Sequence, residues 1–102
     1  MQYVLIIHEV VNYTAWKKIF DSAATIRKVA EEISYQVLQY ESEPNKIVHF
    51  SAWPSIENAK ALFESPRLAA IRKVAGVQSP EFIYLEQLEE GPSYNTMPLY
   101  GR

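Results

Sequence analysis

Residues 3–11, Tyr-Val-Leu-Ile-Ile-His-Glu-Val-Val, are rich in β-branched and aliphatic side chains and predict an extended strand. A strand in an antiparallel sheet with one wet face alternates apolar and polar residues. This one does not. Its even positions are Val4, Ile6, His8 and Val10, and its odd positions are Tyr3, Leu5, Ile7 and Glu9. Residues 81–88, also read as a strand, repeat the feature, with Phe82 and Tyr84 on one parity and Ile83 and Leu85 on the other. A sheet built from such strands must be covered on both faces.

Between these strands the hydrophobic period changes. Trp16, Ile19, Phe20, Ala23, Ile26 and Ala30 recur at three- and four-residue spacing and predict one helical face. Asn12 or Thr14 caps its start, and Lys17, Lys18, Arg27 and Lys28 mark its wet side. Residues 33–41 return to strand character with Tyr35, Val37 and Leu38, and Pro44-Asn45 makes a turn. A strand over 46–53 follows. Ser55 caps a second helix with Ala59, Leu62 and Phe63 on its stripe. Ser65-Pro66 breaks and restarts that helix, Leu68, Ile71 and Val74 continue it, and Gly76 ends it. Residues 1–90 therefore form one domain, and 91–102, with Tyr94, Pro98 and Tyr100, form a tail.

The order β-α-β-β-α-β is the split βαβ of ferredoxin-like α+β folds. It predicts a four-stranded antiparallel sheet in strand order 4-1-3-2 with both helices on one face. The helices then cover one side only. A second copy of the same sheet is the simplest cover for the other, which predicts a homodimer through the sheet face.

Composition removes several function classes. The chain has no cysteine, so disulfides, thiolate metal sites and cysteine nucleophiles are excluded. Three glycines in 102 residues cannot build a phosphate-cradling loop. The net charge is −2 and no run of basic residues exceeds two, so no nucleic-acid partner is expected. The longest apolar run is residues 4–7, far short of a membrane span, and no secretory leader is evident, so the cytoplasm is the expected location.

A finer pattern carries a resemblance. It comprises an apolar first strand bearing His8, then Asn12-Tyr13 with Trp16-Lys17 and Phe20-Asp21, and Pro44-Asn45 before a strand ending in Trp53-Pro54-Ser55. Ala59, Phe63, Ser65-Pro66, Ala75-Gly76-Val77 and Pro80-Glu81 continue it. Over residues 2–89 the chain resembles the antibiotic biosynthesis monooxygenase-like group of dimeric α+β barrels. The resemblance implies a small-molecule enzyme of the kind that oxygenates aromatic or polyketide-like substrates without a cofactor. The group also holds haem degraders, which use an Asn on the first strand and a Trp and an iron-binding His on the second helix. Those helical positions fall here on Leu62 and Arg72, and no Asn occurs at 6–8. Arginine has no lone pair for iron, so haem degradation is disfavoured.

His8 is the candidate catalytic base, since an imidazole's pKa suits proton removal near neutrality. A locally bonded core imidazole is the bland alternative. A two-histidine metal site with His49 would need a carboxylate, and Glu9 lies on the opposite parity. Trp16, Phe20, His49, Trp53, Phe63 and Tyr84 are candidate ligand contacts, although Trp16, Phe20, Trp53 and Phe63 read first as core aromatics. Arg72, Glu31 and Glu32 read as solvated. The resemblance thus points to a cofactor-free oxygenase. A dimer that binds a hydrophobic metabolite without turning it over, or that is purely structural or regulatory, remains open. Purified protein is expected to carry no stoichiometric haem, flavin or metal; an absorbance spectrum with a Soret or flavin band, or one metal ion per chain by elemental analysis, would contradict this.

Overall fold

The computed structural model describes residues 1–93. The elements are β1 (Gln2–Val10), α1 (Tyr13–Ser22), α2 (Ala24–Val29), β2 (Ser34–Gln39), β3 (Lys46–Trp53), α3 (Ile56–Phe63), α4 (Pro66–Val74) and β4 (Val77–Glu86). They form one antiparallel sheet in the order β2-β3-β1-β4, as the ferredoxin-like pattern predicts. Most of the expected tail, 94–102, lies outside the described residues. Among the described residues no helix is long and apolar enough to cross a membrane.

Register fixes which side chains share a face. Ile6 pairs with His49, His8 with Ile47, and Val4 with both Ser51 and Tyr84. Val4, Ile6, His8 and Val10 are buried beneath the helices together with Ile47, His49, Ser51 and Trp53. Leu5, Ile7, Phe50, Ile83, Leu38 and Leu85 stand on the opposite, helix-free face, where Leu38 and Leu85 are exposed and Tyr3 stacks on Phe50 with ring centroids 5.1 Å apart.

The helix ends follow local chemistry. Asn12, Ser55 and Ser65 each accept a backbone N–H of the first turn, from Ala15, Asn58 and Leu68. Pro66 occupies the start of α4, which is why Ser65-Pro66 divides the second helical region. Gly76, at φ +77°, ends α4 in the left-handed region and its carbonyl accepts the Val11 N–H at 3.2 Å.

Two features depart from the sequence expectation. The first helical region is not one helix: it breaks at Ala23, whose N–H is shared between the Ile19 and Phe20 carbonyls. The Phe20 carbonyl also accepts Arg27 Nη1 at 2.7 Å, so a side chain takes up a bond that a continuous helix would supply. The last strand begins at Val77 rather than at 81. Pro80 is tolerated because β4 is an edge strand, and a register shift opposite Ile7–Glu9, with Ser79 at φ +46°, absorbs the irregularity.

Candidate functional site

The stripe Trp16, Phe20, Ala23 continues to Arg27 at four-residue spacing, so Arg27 points inward and is only 4% exposed. This corrects its expected place on the wet side of the helix. The guanidinium lies 3.7 Å from the centre of the Phe20 ring. Its Nε donates to Glu32 Oε1 at 3.1 Å, and the other oxygen of that carboxylate meets His49 Nε2 at 2.8 Å. Glu32 is likewise not a solvated residue; its side chain is 6% exposed.

The backbone that delivers Glu32 is strained. Glu31 sits at φ +82°, where glycine is usual. The N–H groups of Glu31 and Glu32 bond back to the carbonyls of Lys28 and Arg27, the paired closure of a left-handed helix C-terminus. Asn58 Nδ2 donates to Glu31 Oε1 at 2.6 Å and fastens this turn to α3. The turn directs Glu31 outward and Glu32 inward, beneath β3.

Behind this network lies a cavity of about 40 Å³, lined by Ile6, His8, Trp16, Phe20, Arg27, His49, Phe63, Ile71 and Arg72 among others. His8 therefore faces the helices and borders the cavity with its ring 5.3 Å from Trp16. Its Nδ1 is the one sealed side-chain nitrogen or oxygen without a hydrogen-bond partner among the described residues. Burial, followed by the positive charges of His49 and Arg72, lowers its pKa from 6.5 to about 3, against a backbone hydrogen bond at Ile47 that favours the proton. His49 is pushed down by burial more strongly than Glu32 pulls it up. Both imidazoles are thus neutral at pH 7.

Trp16, Phe20, His49 and Phe63 line the cavity, and the edges of Phe20 and Phe63 frame the His49 ring at 4.9 and 5.7 Å. Trp53 and Tyr84, expected as ligand contacts, do not line it. Trp53 is fully buried in the adjoining core and donates its Nε1–H to Ser51 at 2.8 Å. The Tyr84 hydroxyl donates to Glu64, and its ring lies beneath Lys60 and packs against the neighbouring core of Val4, Trp53 and Phe63. Arg72, expected in solvent, is half-buried over the Phe82 ring at 4.8 Å and forms part of the cavity wall. Glu32 had no local signal, because it lies in the loop before β2 and its partner stands 17 residues later on β3. Arg27 had one, in the spacing of the stripe.

The cavity admits a few waters as it stands. Next to it, between α1–α2 and α4, is an open cleft of about 280 Å³ lined by Ile19, Ser22, Ala23, Ile26, Ala70, Ile71 and Val74. Ile19, Ala23 and Ile71 border both spaces, so they form the partition between cavity and cleft.

Comparison of the coordinates with solved structures finds the same architecture in proteins of very different sequence. SnoaB, a cofactor-independent oxygenase from Streptomyces nogalater, is similar with a TM-score of 0.72 at 10% identity, over 90% of this chain and 97% of that one. The chain has the antibiotic biosynthesis monooxygenase-like fold. A structure described as a candidate antibiotic biosynthesis monooxygenase from Caulobacter crescentus gives a TM-score of 0.65 at 17% identity, over 86% of this chain and 91% of the other. The protein Rv0793 of Mycobacterium tuberculosis gives 0.63 at 16%, over 90% and 100%. By sequence, no known protein family and no characterised protein matches the chain. The monooxygenase-like fold is shared at 10–17% identity among these three structures.

The histidines give the fold a definite acid sensitivity. His8 takes up its proton at 6.5 when unfolded and only at about 3 when folded. Between those values the unfolded chain holds more protons, so this contribution is intact above pH 6.5 and is lost as the pH falls through the window. Its slope approaches about 1.4 kcal/mol per pH unit. Urea unfolding measured between pH 7 and pH 4 should show the loss, and His8→Phe should flatten it; identical slopes would mean that His8 is not buried neutral.

Proposed function

We propose that this chain is a homodimeric, cofactor-free oxygenase of a small aromatic or polyketide-like substrate, with His8 as the base that starts the reaction. The observation that carries this reading is the buried His8 Nδ1, neutral and unpartnered, on the wall of an aromatic cavity. The shared fold with a cofactor-independent oxygenase supports it.

In the empty site His8 has little affinity for a proton. Proton transfer from a substrate changes this, because it leaves an enolate or phenolate beside the new imidazolium, and Arg72 on the cavity wall shares the negative charge. An electron-rich anion of this kind can give one electron to dioxygen. The resulting carbon radical and superoxide combine to a peroxide, which takes up the proton. Loss of water then leaves a carbonyl where a CH₂ stood, so that CH₂ and O₂ become C=O and H₂O. The protein supplies the base, the orientation and the exclusion of bulk water.

An aromatic substrate needs far more room than the cavity offers. Benzene fills an engineered cavity of about 150 Å³ in another protein. Access therefore requires Ile19 and Ile71 to swing aside and join the cavity to the cleft outside. The tight closed volume also favours the rival reading of a dimer without catalysis, and the two readings part on turnover. With anthrone as substrate, wild-type protein is expected to accelerate oxygen uptake, and His8→Ala should lose about 10²-fold or more in kcat while its circular dichroism is unchanged. Equal uptake by the variant would leave the site as a binding pocket.

The dimer reading rests on the helix-free face. Leu5, Ile7, Phe50 and Ile83 occupy its middle, and no helix among the described residues covers them. Stacking a second sheet there buries them at roughly 25 cal/mol per Å². Sedimentation at micromolar concentration should give a dimer, and Leu5→Asp should give monomer or unfolded chain. A wild-type monomer under those conditions would refute this interface.

A further inference from the structure

The Arg27–Glu32–His49 network holds more order than a core needs. Arg27 is fixed from three sides: the Phe20 carbonyl at 2.7 Å, the Phe20 ring at 3.7 Å and Glu32 at 3.1 Å. Glu32 spends one carboxylate oxygen on Arg27 and turns the other to His49. A carboxylate can only accept hydrogen bonds, so His49 must donate through Nε2. A neutral imidazole whose proton sits on Nε2 has its lone pair on Nδ1. Among the described residues the His49 side chain makes no other hydrogen bond, and its ring forms part of the cavity wall.

We infer that Glu32 fixes His49 as a hydrogen-bond acceptor toward the cavity, so that the site selects ligands presenting a hydroxyl over apolar ligands of the same shape. This rests on the reading of the cavity as an aromatic-ligand site and adds its specificity. The chemistry favours phenols and enols. Their O–H donates to a nitrogen that none of the described residues satisfies, while the ring packs between Trp16, Phe20 and Phe63. Glu32 is a positioning residue here: it meets His49, and His49 meets the ligand. The network also makes a sharp distinction between carboxylate and amide at position 32. In Glu32→Gln the fixed Arg27 claims the amide oxygen, the NH₂ turns to His49, and the imidazole proton moves from Nε2 to Nδ1.

Histidine nitrogen NMR reads the tautomer directly, with or without a ligand. Wild type at pH 7 is expected to carry the His49 proton on Nε2, and Glu32→Gln to carry it on Nδ1. A wild-type proton on Nδ1 overturns the inference. Binding of phenol and of toluene, isosteric rings with and without the hydroxyl, is followed in the same spectra. Phenol should bind at least about 10-fold tighter to wild type, and the preference should vanish in His49→Phe, a variant that keeps an aromatic ring at this place should Glu32→Gln fail to fold. Toluene binding as tightly as phenol overturns the inference alone. Binding of neither overturns it together with the aromatic-ligand reading.

Discussion

The carboxylate of Glu32 ties the broken helical region to the centre of the sheet, beside the packing of Phe20 on His49. Through Arg27 it is tied to the broken helix, because the same guanidinium occupies the Phe20 carbonyl where α1 ends. Through His49 it is tied to β3 at the centre of the sheet. Removing one member of a buried ion pair costs about 3–5 kcal/mol, since the survivor keeps its desolvation penalty and loses its partner. The strained turn at Glu31 is tolerated on the same account. It holds a left-handed residue other than glycine, and it is over-determined by two backbone hydrogen bonds and by Asn58. The break in the helix, the strain in the turn and the orientation of one imidazole are one arrangement.

His8 stands in contrast to His49 on the same face of the sheet. Among the described residues no carboxylate meets it, and its Nδ1 has no partner. Two neutral imidazoles, one oriented and one unsatisfied, give a small apolar space two sites of polarity without placing a net charge in it. Arg27 and Arg72 stand on the wall, where each lies over an aromatic ring. Such an interior holds anionic character that develops within it better than a charged ligand arriving from water, because the desolvation of the ligand is avoided.

Much of this was legible in the sequence. The alternation of periods gave the element order, and β1 and β4 were legible as strands apolar on both parities. Asn12, Ser55, Ser65-Pro66 and Gly76 marked helix ends by local chemistry that needs no tertiary information. The stripe through Trp16, Phe20 and Ala23 even reached Arg27, although a charge at that position reads as surface until its partner is known.

What the sequence could not supply were pairings across the fold. Glu32 follows a helix and looks like any acidic loop residue; only the return of β3 beside β1 brings His49 to it. Trp53 and Tyr84 have the composition of ligand contacts, but the register points Trp53 into solid core and places Tyr84 beneath Lys60. The expected phase of β1, with Val4, Ile6, His8 and Val10 toward the helices, rested on position rather than hydrophobicity, since both parities are apolar and only the packed helices distinguish them. Hydrophobic period and capping are local properties, written in consecutive residues, so the sequence by itself determined the elements and their order. Burial, tautomer and cavity depend on which distant side chains meet, and those were decided by the tertiary structure alone.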